Sequence, residues 1–283
     1  MKYNYIYRTY LISAFLLLLL ARCQSQSKSN ASPTGYNLQA PKIIRLPKEV
    51  NQISGIAYYE ADKSVFAIDD DHGNLYKISL KENPEIEQWE FGKAKDYEEV
   101  VLVNNSFYVL NSKGQIVYFP FSFPIQKVEK AGLGLGGKNE FEILYKDPSA
   151  DRLMMICKEC EGDEKNKLSV YAFSLGTNSF EKEPAAVLNV KEIEARLGRK
   201  IGRFKPSSAN VHPLTGEVYI ISAINHLLVV AGSDMSVKGV FELDANLFKQ
   251  PEGLCFNAKG DLFISNEEAG AGKATILIYP YQK

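Results

Sequence analysis

Apolar runs of about four to eight residues, bounded by turn chemistry, recur along most of this chain. The clearest case lies near its end. Gln250-Pro251-Glu252-Gly253-Leu254-Cys255-Phe256 and Asp261-Leu262-Phe263-Ile264-Ser265-Asn266-Glu267 flank a turn at Ala258-Lys259-Gly260 and read as two short strands. Degenerate copies start at Ser54, Glu98, Glu142 and Ser207, and each leads to a second apolar run that ends at Asp69, Asn111, Cys157 or Ser222. The steps from one unit head to the next, through Glu252, are 44, 44, 65 and 45 residues. A period in the forties with strand chemistry is the signature of propeller blades.

The first four units each hold four strand-like runs, among them Ile125–Glu129 and Pro184–Val190 as outermost strands. The fifth holds three: Gly253–Asn257, Asp261–Ser265 and Thr275–Tyr281. A lone run at Lys42–Leu46, stopped by Pro47, supplies the missing strand. Pairing the two chain ends in one blade hides a sheet edge that would otherwise template aggregation. The expected fold is all-β: a five-bladed β-propeller of four-stranded antiparallel blades, its ring closed by an N-terminal strand. With 45% hydrophobic and 24% charged residues the composition is that of an ordinary globular domain, and one periodic pattern spans it. A formal charge of −1 excludes the broad basic excess of a nucleic-acid binder.

The first residues belong to a different segment. Lys2 and Arg8 precede an apolar run, Leu11–Leu20, too short to span a membrane and suited to a signal peptide. The junction Leu20-Ala21-Arg22-Cys23 is similar to a bacterial lipoprotein signal, with Arg22 in place of the usual small residue. We therefore expect residues 1–22 to be a leader, Cys23 to carry the lipid, residues 23–40 to be a flexible polar tether, and residues 41–283 to form the propeller. This places a monomer on a membrane of a Gram-negative cell envelope, facing the periplasm or the cell surface.

The longer third step holds a charged loop, Glu161–Lys167, and a helix over Lys191–Arg199 with Asn189 as its cap. Arg196, Arg199, Lys200, Arg203 and Lys205 beyond it suit either an anion site or a solvated helix end matched to the dipole. Cys157-Lys158-Glu159-Cys160, without a second pair or a nearby histidine, is weak evidence for zinc and reads first as two Cys at a strand end, then as an incidental disulfide. Gly132–Asn139 nearly matches a phosphate loop, but a strand follows it rather than a helix. His72, His212 and His226 have no ligand spacing, and each reads as a turn or surface residue.

More informative is the head of each unit: Ser54, Glu98, Glu142, Ser207 and Glu252. In a propeller the first strand of every blade lines the central channel, so these five should ring one mouth. The second strand returns to the same face, bringing Asp69 and Asn266 near it. Glu is a poor turn residue, so its use at three of five heads points to a site. The oxygen-only donor set of Glu98, Glu142 and Glu252, with Ser54, Ser207, Asp69 or Asn266 as helpers, suits calcium.

Ile53-Ser54-Gly55-Ile56-Ala57, Asp96-Tyr97-Glu98, Phe141-Glu142, Lys205-Pro206-Ser207 and Gln250-Pro251-Glu252-Gly253 together resemble the SdiA-regulated family, the YjiK/CarP-type propellers. The chain departs from the usual pattern at Ile143, where Gly commonly follows the Glu, and at Ser208-Ala209-Asn210, where Gly-Ile-Ala is usual. The resemblance implies a five-bladed envelope propeller, distantly similar to NHL-repeat propellers, with a calcium site and a link to calcium homeostasis. Two functions of different class follow. One is a lipid-anchored, calcium-binding propeller acting as a binding or scaffold protein. The other is a metal-dependent hydrolase of an ester, lactone or phosphate at the same mouth, for which the sequence shows no clear base or nucleophile.

Overall fold

The computed structural model describes residues 31–69, 72–270 and 272–282. The leader, Cys23 and the tether through Asn30 lie outside the described residues.

Among the described residues, twenty-one strands form five antiparallel sheets. Blade 1 is β2 (Ile53–Tyr59), β3 (Ser64–Asp69), β4 (Gly73–Ser79) and β5 (Ile86–Gly92). Blade 2 is β6 (Tyr97–Val103), β7 (Ser106–Asn111), β8 (Gln115–Pro120) and β9 (Glu129–Gly132). Blade 3 is β10 (Asn139–Lys146), β11 (Arg152–Cys160) and β12 (Lys167–Ser174), with β13 (Ser179–Phe180) and β14 (Ala186–Asn189) sharing its outer edge. Blade 4 is β15 (Ser208–Val211), β16 (Val218–Ser222), β17 (Leu227–Ala231) and β18 (Val237–Glu242). Blade 5 is β19 (Pro251–Phe256), β20 (Leu262–Asn266), β21 (Thr275–Tyr279) and, from the other end of the chain, β1 (Lys42–Arg45). The expected ring closure is present: Lys42 pairs with Ile278 and Arg45 with Thr275.

The core is divided into five hydrophobic clusters, one between each pair of neighbouring blades. Strand alternation produces this division. Successive side chains of a strand point to opposite faces of its sheet, and both faces of a blade are covered. In β3, Val65 and Ala67 therefore pack toward blade 5 while Phe66 and Ile68 pack toward blade 2. In β16, Val218 and Ile220 face blade 3, and Tyr219 and Ile221 face blade 5.

Two outer strands differ from expectation. In blade 2 the pairing begins at Glu129 rather than at Ile125, because Pro124 has no N–H to give a ladder and Phe123 instead stacks on Trp89 at 3.9 Å. In blade 3 the outer position is split: Phe180 pairs with Phe173, and Ala186–Asn189 pair with Val170–Lys167. The inserted helix, α1 (Val190–Leu197), starts as expected, with Asn189 Oδ1 accepting from Lys191 N–H at 3.0 Å, and Gly198 ends it at φ 72°.

The packed body begins at Ser32, ahead of the expected boundary at residue 41. Tyr36 and Leu38 are buried in the cluster between blades 4 and 5, and Gly35 carbonyl accepts from Gln282 N–H at 2.8 Å. The expected tether, residues 23–40, is therefore too long: Tyr36 and Leu38 within it are apolar enough to fasten the segment to the closing blade.

Candidate functional site

The innermost strands share one irregularity at one place. In blade 2, Tyr97 pairs with Asn111 and Glu99 with Leu110, so Glu98 is the extra residue of a bulge. Glu142 is the extra residue in blade 3, between the pairs Phe141–Cys157 and Ile143–Ile156. Glu252 is the extra residue in blade 5, between Pro251–Asn266 and Gly253–Ser265. In blade 1, Ser54 and Gly55 together face Ile68. In blade 4, Ser208 pairs with Ile221, and Ser207 N–H also reaches Ile221 carbonyl at 2.9 Å. A bulge leaves its extra residue outside the ladder and re-aims the side chain. Ser54, Glu98, Glu142, Ser207 and Glu252 accordingly line one cavity of about 300 Å³ at the channel mouth.

The cavity has further walls. Asp96, Glu140, Lys205 and Gln250 each stand two residues before a head and line it too, as strand alternation dictates. From the ends of the second strands come Lys158, Ala223 and Glu267. The mouth thus gathers six carboxylates and two ammonium groups. Lys158 is itself the extra residue of a second bulge in blade 3, between the pairs Glu140–Glu159 and Phe141–Cys157. Its ammonium is bonded to Glu142 Oε1 and lies 3.0 Å from Glu140 Oε1. Ser207 donates its hydroxyl to Pro251 carbonyl at 2.6 Å and accepts from Ala223 N–H at 3.3 Å, tying blade 4 to blade 5. The donors offered to an ion are carboxylate, amide and hydroxyl oxygens, a set that fits a hard cation such as calcium.

Asp69 and Asn266 do not line this cavity. Asp69 is turned to the side of blade 1, where it accepts from Tyr76 hydroxyl at 2.9 Å and His72 N–H at 3.0 Å. Burial raises its pKa against those bonds. Asn266 donates to Leu247 carbonyl in the connection from blade 4 and to Thr275 Oγ1 of blade 5, and it is Glu267, next in sequence, that reaches the mouth. Among the candidates read from sequence, the five heads converge and these two helpers do not.

Below the mouth the channel is filled by a residue that sequence reading passed over. Glu99 is 2% exposed. Its Oε2 shares a hydrogen bond with Ser208 hydroxyl of blade 4, whose oxygen accepts from Leu254 N–H of blade 5 at 3.0 Å. Val100 N–H donates to its Oε1 at 3.1 Å, and the Ile56 backbone of blade 1 lies beside the carboxyl. Through Ser208 this side chain joins blades 2, 4 and 5, and it packs against Gly55 of blade 1. Burial holds its pKa well above the usual carboxylate range, against the hydrogen bonds. Gly55 makes the room, since a Cβ there would meet Glu99 Oε1 at 2.1 Å. Ser208, one of the departures from the family pattern, is the partner of this carboxyl.

The remaining motifs resolve simply. Cys157 and Cys160 are joined in a disulfide, with Cα atoms 6.0 Å apart. Asp163 lies close to their sulfurs, but its carboxylate accepts from Ser169 N–H at 3.0 Å and the sulfurs are spent on each other, so the group is not a metal site. Arg203 and Lys205 pair with Glu159, and Arg199 with Glu242, in keeping with a solvated, paired helix end. His72 and His226 lie in turns. His212 is buried, its Nδ1 accepting from Leu214 and Thr215 N–H groups at 3.2 Å, and burial lowers its pKa.

With that geometry in place, the comparisons are specific. The sequence model of the SdiA-regulated family matches residues 30–269. The chain belongs to the SdiA-regulated family. No curated protein matches this family member by sequence. Among solved structures it is similar to glutaminyl cyclase from Myxococcus xanthus, with TM-score 0.57 and 13% identity over 86% of this chain and 96% of that one. It is also similar to the calcium-binding protein regucalcin from Agrobacterium tumefaciens, with TM-score 0.51 and 11% identity over 88% and 95%. A third is a luciferin-regenerating enzyme, with TM-score 0.51 and 8% identity over 85% and 95%. At such identities the likeness is one of fold.

Proposed function

We propose that this SdiA-regulated propeller binds calcium at the channel mouth and serves as a lipid-anchored binding or scaffold protein of the cell envelope, in calcium homeostasis. The observation that carries the reading is the convergence of Glu98, Glu142 and Glu252, each placed by a bulge, on one cavity. Like charges held together disfavour one another's ionised forms, and a bound cation removes that conflict. Asp96, Glu140 and Glu267 add further oxygens, and Ser54 and Ser207 complete the wall. The calcium-binding of regucalcin adds that the same fold hosts such ions elsewhere. Export is supported by the Cys157–Cys160 disulfide, since such bonds persist in oxidising compartments.

The test is a thermal melt with calcium, magnesium or chelator, on the wild type and on Glu98→Gln and Glu252→Gln. An ion at about 100 times its dissociation constant adds roughly 2.7 kcal/mol to stability. We expect a calcium-specific rise that both variants lose. A flat wild-type melt, with no heat in titration calorimetry, would leave the glutamates as strand-end residues.

Anchoring is tested separately. Cys23→Ser should move the protein from the membrane fraction to the soluble one, because stable attachment needs more than one acyl chain and this is the residue that would carry them. Unchanged fractionation of that variant would count against lipidation.

A further inference from the structure

The mouth already holds a cation, and it is the protein's own. Lys158 Nζ is bonded to Glu142 Oε1, lies 3.0 Å from Glu140 Oε1, and is only 15% exposed. Glu142 is 9% exposed on its side chain, so this ion pair is sheltered from solvent. The lysine is not there by the reach of a surface side chain. It is the extra residue of a bulge in β11, separated by the single pair Phe141–Cys157 from the bulge that presents Glu142. The Cys157–Cys160 disulfide brackets it, closing the backbone on both sides of Lys158 and Glu159. Glu159 pairs with Arg203 and with Lys205, the second lysine of the mouth wall. Two bulges and a disulfide therefore fix an ammonium against one of the three glutamates read as calcium ligands.

From this we infer that Lys158 is the resident counter-cation of the channel mouth and sets its metal affinity: a divalent ion engages Glu142 only by displacing the Lys158 ammonium. The inference rests on the reading of the mouth as a cation site. Its physical basis is competition for the same carboxylate oxygens. A divalent ion that gains Glu142 must break the Lys158 pair, and the displaced ammonium has an exit, because Lys158 and Glu140 also border a groove of about 1130 Å³ beside blade 3. Without the lysine, Glu142 and Glu140 would repel each other in the apo protein, and the mouth would favour calcium more strongly.

Calcium titration calorimetry on the full chain tests this with Lys158→Met and, should that variant fold poorly, Lys158→Gln. Both should bind calcium at least ten-fold more tightly than the wild type. A second readout needs no variant. Acylation of amines by an N-hydroxysuccinimide ester, mapped by mass spectrometry, should modify Lys158 several-fold faster once calcium is added, while Lys138 and Lys165 react at unchanged rates. If the wild type binds calcium and Glu252→Gln loses it, yet the Lys158 variants bind no more tightly and calcium leaves Lys158 acylation unchanged, the inference is overturned and the calcium site stands. If neither the wild type nor the Lys158 variants bind calcium, the site reading falls and takes this inference with it.

Discussion

A chain that begins at Lys48 is expected not to form a stable ring, whereas one that begins at Ser32 should melt like the full protein. The segment between them supplies the fourth strand of blade 5 and buries side chains on both of that blade's faces. Ile44 and Leu46 enter the cluster toward blade 1, and Tyr36 and Leu38 the cluster toward blade 4. At about 1.5–3 kcal/mol for each such side chain, burial contributes roughly 6–12 kcal/mol. That is comparable with the whole net stability of a typical domain, about 5–15 kcal/mol. The shorter chain would also expose β21 as an edge strand, its Thr275–Ile278 groups stripped of the pairing that β1 now gives. Circular dichroism melts and size-exclusion chromatography of the two truncations would show the difference as loss of a cooperative transition and formation of large aggregates. Equal melting of the two would mean that the propeller closes without its N-terminal strand.

Glu99→Leu is expected to cost about 3 kcal/mol or more, and Glu99→Gln little. Leucine would leave the Val100 N–H and the Ser208 hydroxyl without this partner in a buried site, and each such loss costs about 1–3 kcal/mol. Glutamine keeps an acceptor for the Val100 N–H and offers Ser208 a donor, as a protonated carboxyl does. The same residue predicts a pH dependence. Its folded-state pKa is raised by burial, so the folded protein keeps a proton that the unfolded chain gives up. Stability from this group is complete below the ordinary glutamate range and declines as pH rises above it, by up to about 1.4 kcal/mol per pH unit for one proton. Denaturant titrations between about pH 5 and 8 should show that slope in the wild type and its loss in Glu99→Gln, which becomes the more stable of the two at the alkaline end. Identical slopes in both proteins would mean that Glu99 ionises at its ordinary pKa and that the axial network accommodates the charge.

The repeat of apolar runs with strand chemistry determined, by itself, the blade count, the innermost strand of each blade and the need for a closing strand, because strand periodicity and an exposed sheet edge are properties of local sequence. It also placed Ser54, Glu98, Glu142, Ser207 and Glu252 at the head of equivalent strands, and these do converge. Their neighbours two residues back were legible by the same alternation: Asp96, Glu140, Lys205 and Gln250 carried the signal in plain view. What only the tertiary structure decided is which way the remaining polar residues turn. Asp69 and Asn266 end their strands at the mouth's level yet bond partners away from it, Asp69 to Tyr76 of its own blade and Asn266 to the Leu247 carbonyl and Thr275, since a side chain bonds what lies nearest once the sheet twists. Lys158 enters the mouth because a bulge in β11 shifts the register by one, and a one-residue shift reverses the face on which a side chain stands. Glu99 reads in sequence as a second acidic residue beside Glu98. Its burial follows from Gly55 in blade 1 and Ser208 in blade 4, residues 44 and 109 positions away that meet it only when the ring closes.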